Sequence, residues 1–102
     1  MIVYNVTISV EEGIEEAWLK WMKEEHMPEV MATGYFEDHK IFRLMSHLKQ
    51  NEGVTYVCQY FAKSKAILNQ YITKSSPALQ QKSKAKFGEK ALAYRSIMEQ
   101  VD

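Results

Sequence analysis

Cysteine is almost missing: Cys58 is the only one in 102 residues. That excludes an internal disulfide and any zinc site built from cysteines. Proline occurs twice and glycine four times, so no Pro-rich or Gly-rich linker divides the chain. There is no glycine-rich loop to cradle a phosphate and no serine in a nucleophile-elbow setting. An excess of one charge is lacking too. Thirteen Lys and Arg balance thirteen Asp and Glu, and without a basic surplus the chain lacks the footprint of a nucleic-acid binder. No apolar run approaches the ~20 residues that cross a bilayer, so no membrane partner is expected. The opening Met1-Ile2-Val3-Tyr4-Asn5-Val6 has neither the basic stretch nor the cleavage pattern of a signal peptide. These absences predict a cytoplasmic protein.

What is present is the composition of a globular chain. With 46% hydrophobic and 25% charged residues, it is rich enough in apolar surface to fold and is not disordered. Its length predicts a single domain over residues 1–102. A domain of this size has modest stability and gains from dimerisation.

Residues 2–10 alternate, with Ile2, Tyr4, Val6, Ile8 and Val10 on one face and Val3, Asn5, Thr7 and Ser9 on the other. A period of two with β-branched residues predicts a strand. Ile14, Ala17, Trp18, Trp21 and Met22 then recur at helical spacing. Pro28 cannot donate a backbone hydrogen bond and disfavours helical geometry at Met27, so the helix should break or kink there. A short turn through Val30 should close at Thr33-Gly34. Residues 35–47 read as an edge strand of mixed polarity, 48–53 as a hairpin loop, and 54–61 as a central strand. Ser64 suits a helix N-cap. Ser75-Ser76-Pro77 interrupts that helix and restarts it, with Ser76 as cap and Pro77 at the first helical position. Gly88 closes it, and residues 90–100 form a last strand.

Strand, helix, strand, strand, helix, strand is the order of a split βαβ, or ferredoxin-like, α+β fold. Right-handed crossovers put its antiparallel strands in the order 4-1-3-2, with both helices on one face. The opposite sheet face is left bare. Ala91, Val3, Asn5, Thr7, Val57, Gln59 and Phe61 are candidates for it, which gives the chain a reason to form a homodimer.

The most informative stretch is Trp18-Leu19-Lys20-Trp21-Met22-Lys23-Glu24-Glu25-His26-Met27-Pro28-Glu29. With that element order, Trp-x-x-Trp-Met leading into Glu-His-Met-Pro-Glu, and Thr33-Gly34-Tyr35-Phe36, the chain resembles a small bacterial family of unknown function. Val54-Thr55-Tyr56, Gln59-Tyr60-Phe61 and Phe87-Gly88 extend the resemblance over nearly the whole chain. That family is similar to the dimeric α/β-barrel proteins. The resemblance implies dimers that pack two sheets face to face, with a pocket in each protomer. It implies no activity: the broad superfamily holds cofactor-independent monooxygenases, isomerases, haem-binding enzymes and proteins without demonstrated catalysis.

Each candidate residue has a plain reading beside a functional one. His26 titrates near neutral pH and suits proton transfer, with Glu25 or Glu29 to orient it. It equally suits the frayed end of a helix, where a cation favours the dipole. Trp18 and Trp21 could wall a ligand pocket, or simply fill the core. Asn5, Thr7, Gln59 and Arg95 are expected to look into a cleft on the bare sheet face, where Arg95 clamps an anion or pairs across a dimer. His39 and His47 share a strand face, but the sequence supplies no third ligand, so no metal is expected. Cys58, mid-strand, reads as a buried small hydrophobe. No cofactor is implied by the residues, and haem held by a histidine is the outlying alternative.

Two functions follow. The first is a homodimeric binding or interaction domain without catalysis. The second is a cofactor-independent enzyme on a small apolar substrate, with His26 as acid/base.

Overall fold

The computed structural model describes residues 1–46 and 53–102. His47 and, of the loop expected over 48–53, all but Gly53 lie outside the described residues. Four antiparallel strands form one sheet: β1 (Ile2–Val10), β2 (Asp38–Arg43), β3 (Val54–Ala62) and β4 (Ala91–Glu99). Their order is β2-β3-β1-β4, the ferredoxin-like order anticipated from the sequence. The helices are α1 (Glu15–Trp21), α2 (Met27–Ala32), α3 (Lys65–Lys74) and α4 (Ser76–Phe87). Among the described residues no helix is long and apolar enough to cross a membrane.

Pro28 does not end the first helix. A π-helical turn over Met22–His26 joins α1 to α2, and the Met27 N–H bonds the Met22 carbonyl, five residues back. The reason is local. A proline in an α-helix clashes with the carbonyl four residues earlier, here that of Glu24. The wider π turn relieves that clash and lets the chain run on to Ala32. His26 therefore sits inside a continuous helical segment, not at a frayed end. Gly34 (φ 84°) supplies the left-handed turn that follows. Gly53 is required at the start of β3: its φ is 77°, and a Cβ there would collide with the Val10 carbonyl.

Ser64 caps α3, its side chain accepting a bond from the Ile67 N–H at 3.2 Å. The restart of the helix is shifted by one residue from expectation. Ser75 is the cap of α4, and Ser76 and Pro77 lie in its first turn. The second strand is also shorter than read, with Asp38–Arg43 paired and Phe36 buried before it.

Register fixes the two faces of the sheet. Tyr4, Val6, Ile8 and Val10 of β1 and Tyr56, Cys58, Tyr60 and Ala62 of β3 are buried beneath the helices. Trp18, Met27, Val30 and Leu68 close this core from above. On the open face three cross-strand rows span all four strands, beside a shorter row of Leu92, Ser9 and Thr55. Tyr94, Thr7, Val57 and Phe42 form one. Met98, Val3, Phe61 and Asp38 form another. Between them lies a polar row of Ser96, Asn5, Gln59 and Lys40. There the Gln59 amide donates to Asn5 Oδ1 at 3.3 Å, and the Asn5 amide donates to Ser96 Oγ at 3.4 Å.

Candidate functional site

The register corrects one sequence expectation. Arg95 pairs with Val6, and Ala91 with Val10, so both belong to the helix side of the sheet. Asn5, Thr7 and Gln59 stand together on the open face, and Arg95 is not with them. The alternation in β4 was legible, but its sense was not. Leu92, Tyr94 and Met98, three of the four large apolar residues of β4, point outward and are 51%, 71% and 40% exposed, while Ile97 pairs with Tyr4 on the helix side. A pattern of alternation identifies two faces without saying which one the helices cover.

Beneath the helices lies a cavity of about 50 Å³ whose lining reaches β4 at Ala91, Ala93 and Arg95. Its apolar lining includes Val6, Ile8 and Cys58 from the sheet and Leu79 from α4. Trp18, Tyr4 and Tyr60 wall it. Its polar groups are His26, Tyr71, Ser76, Gln80, Ser83 and Arg95. A porphyrin needs a seat of at least roughly 300 Å³, so haem does not fit this cavity.

His26 is placed by the π turn and is half-buried. Its ring stacks on Trp21, with centroids 4.8 Å apart and planes at 26°. Trp21 in turn meets Phe87 edge-on at 5.4 Å. The His26 Nδ1 is buried and, among the described residues, has no hydrogen-bond partner. Burial lowers the pKa of His26 below 6.5. Glu29 opposes that shift, while Arg95 and Lys82 add to it. The imidazole is therefore neutral at pH 7, with one nitrogen able to donate and the other to accept. Glu29, one of the two carboxylates considered for it, is held by Lys82 at 2.7 Å. Glu25, the other, is exposed.

Tyr71, Ser76, Gln80 and Ser83 were not singled out from the sequence. Tyr71 was legible only as part of an apolar helix stripe, and Ser76 only as a cap. In the structure Ser76 is buried, hydrogen-bonds Tyr71 and accepts from the Gln80 amide at 2.7 Å. Burial pushes the Tyr71 hydroxyl up to about 12 and the Cys58 thiol to about 12. At neutral pH the thiol is therefore protonated and a poor nucleophile.

Trp18 is 1% exposed and Trp21 8%. Both are core residues, and Trp18 also faces the cavity. His39 is exposed on β2, its ring 6.5 Å from that of Tyr60. Among the described residues no three His, Cys, Asp or Glu side chains group as metal ligands.

A family profile, Domain of unknown function (DUF4286), matches residues 1–101. The chain belongs to this family. The DUF4286 fold is shared with solved structures of low sequence identity. One is an ethyl tert-butyl ether d (ethd) family protein from Bacillus halodurans C-125, 18% identical, with a TM-score of 0.73 over 99% of this chain and 100% of the other. A dimeric ferredoxin-like protein from an uncultured marine organism is 13% identical, with a TM-score of 0.59 over 99% and 94%. A candidate monooxygenase from Shewanella loihica PV-4 is 13% identical, with a TM-score of 0.53 over 99% and 95%. At such identities the likeness shows the fold alone. No match was found among curated proteins.

The lowered pKa of His26 has a consequence for stability. The unfolded chain takes up this proton near pH 6.5 and the folded chain only at lower pH. The stabilising contribution is thus complete above pH 6.5 and is lost as pH falls toward the folded value. Thermal melts from pH 7.5 to 5 should show the wild type losing stability more steeply than His26→Gln. Parallel curves for the two would contradict a buried, neutral imidazole.

Proposed function

We propose that residues 1–102 form one cytoplasmic domain that works as a homodimer and binds a small organic molecule without transforming it. The protomers pair through the open sheet face, where Asn5, Thr7 and Gln59 lie at the contact. The ligand sits on the other side of the sheet, among His26, Tyr71, Arg95 and the wall of Trp18, with Trp21 behind His26. Neither a metal nor a cofactor enters this reading.

One observation carries it. His26, with a buried nitrogen that has no partner among the described residues, lines a cavity that is also lined by a guanidinium and five hydroxyl-bearing side chains, Tyr4, Tyr60, Tyr71, Ser76 and Ser83. A buried polar atom left unsatisfied costs about 1–3 kcal/mol, which a ligand group can recover. The pairing rests on Phe42, Leu92, Tyr94 and Met98, each at least 40% exposed and all on the open face. It is consistent with the marine ferredoxin-like neighbour, which is described as dimeric.

Native mass spectrometry of gently purified protein tests both parts. A dimer carrying a reproducible extra mass supports the reading and identifies the ligand. A dimer without added mass speaks for pairing and against an occupied seat. A monomer at micromolar concentration contradicts the pairing.

A second reading, a cofactor-independent enzyme, is favoured by the neutral His26 close to Glu29. Here His26 serves as the acid/base, Glu29 orients it, and exposed Glu25 has no evident role. If it holds, a substrate identified from the bound mass turns over at least about 100-fold more slowly in His26→Gln. Binding without turnover in the wild type rejects catalysis.

A further inference from the structure

We infer that the ligand of this seat is a short-chain monocarboxylic acid, its carboxylate on the Arg95 guanidinium and its apolar body in the cavity. The inference rests on the small-molecule reading above and adds the ligand's chemical class.

Polarity within the cavity is graded. The lining of Val6, Ile8, Cys58 and Leu79 offers nothing to a charged group. Arg95 is exposed on the edge strand β4, and among the described residues no carboxylate pairs with it. Its planar fork matches a carboxylate in two parallel hydrogen bonds. The charge count also favours a single negative charge. The other nearby cation, Lys82, is already held by Glu29 at 2.7 Å. A dianion such as a phosphate monoester would find one counter-charge and meet the Glu29 carboxylate. An amine would face the Arg95 guanidinium.

Volume sets the size. A water-sized group needs roughly 10–15 Å³ of such space, so about 50 Å³ takes on the order of three to five non-hydrogen atoms. That is the body of a four- to six-carbon acid with its head outside, at Arg95.

Calorimetric titration of the intact protein with hexanoate, hexanamide and hexylamine separates charge from shape. Hexanoate is expected to bind at least about tenfold more tightly than hexanamide, because the charge-assisted bond is lost in the amide. Hexylamine should bind more weakly than either. In Arg95→Gln the preference for acid over amide should vanish, while hexanamide affinity stays within about twofold. Decanoate should bind more weakly than hexanoate, since its body overfills the cavity. Equal binding of acid and amide by the wild type overturns the carboxylate class and leaves the small-molecule seat standing. A preference that survives in Arg95→Gln overturns the role of Arg95. Failure of all these compounds to bind overturns the inference of a short-chain acid, whereas the small-molecule reading itself falls only if native mass spectrometry also shows no added mass.

Discussion

Trp18→Ala should lower the stability of the fold by about 3–5 kcal/mol, the range for removing a buried tryptophan. Domains of this size are stable by only about 5–15 kcal/mol, so the loss takes a large share. At roughly 4–8 °C per kcal/mol for a domain near 100 residues, the melting temperature should fall by about 12 °C or more. The size follows from position. Trp18 is 1% exposed, its ring lies 5.0 Å from that of Tyr56, and it already borders a void. Removing the indole enlarges that void, and collapse is resisted on one side by the sheet. Tyr56 holds that side in place. It donates to Glu15, and Arg43 reaches the same hydroxyl at 3.1 Å and Glu15 at 3.2 Å, tying α1 to β3 and β2. Trp21→Ala should cost less, because Trp21 packs at the rim, on His26 and Phe87. Urea melts of both variants check the order. A loss below about 1 kcal/mol for Trp18→Ala contradicts its place in the core.

Tyr94→Lys should dissociate the proposed homodimer while leaving each protomer folded. Tyr94 is 71% exposed and shares a row with Thr7, Val57 and Phe42. A lysine there is solvated in the monomer and is a common guard on edge strands. Buried against a partner, it would carry an unpaired charge into an apolar contact, which costs several kcal/mol. The dissociation constant should rise by about 100-fold or more, read by sedimentation at micromolar concentration. Phe42→Lys, at the opposite edge of the same row, should act similarly. An unchanged dimer in both variants places the pairing elsewhere. A Tyr94→Lys protein that is monomeric but also unfolded attributes the loss to the fold, and Phe42→Lys then decides.

These predictions rest on features that differ in how far the sequence disclosed them. The alternation in residues 2–10 and the uncharged run at 54–61 fixed the central strands, because one face of each is dry and a slip would expose it. Ser64 and Gly34 announced their caps by chemistry that few residues share. Pro28 left break and kink open, and the helix ran on with a distortion, since the same clash that breaks a helix can be absorbed by a π turn when neighbouring residues such as Met27 and Val30 gain by burial. That turn gave His26 its place, and no spacing rule foretold it. Arg95 was read on the wrong face for a different reason. β4 is an edge strand with apolar residues on its outward side, so hydrophobicity could not say which side the helices cover. Tyr71, Ser76, Gln80 and Ser83 converge only through the packing of α3 and α4 over the sheet.

The account gives one sheet two jobs, a ligand seat on its helix side and self-pairing on its open side. Isotope-filtered NMR on a mixture of labelled and unlabelled protein tests this most directly. It records only contacts between copies. The account predicts such contacts at Phe42, Val57, Phe61, Tyr94 and Met98, and none at Trp21, His26 or Arg95. Contacts between copies centred on His26 and Arg95, or none at all at millimolar concentration, would contradict it.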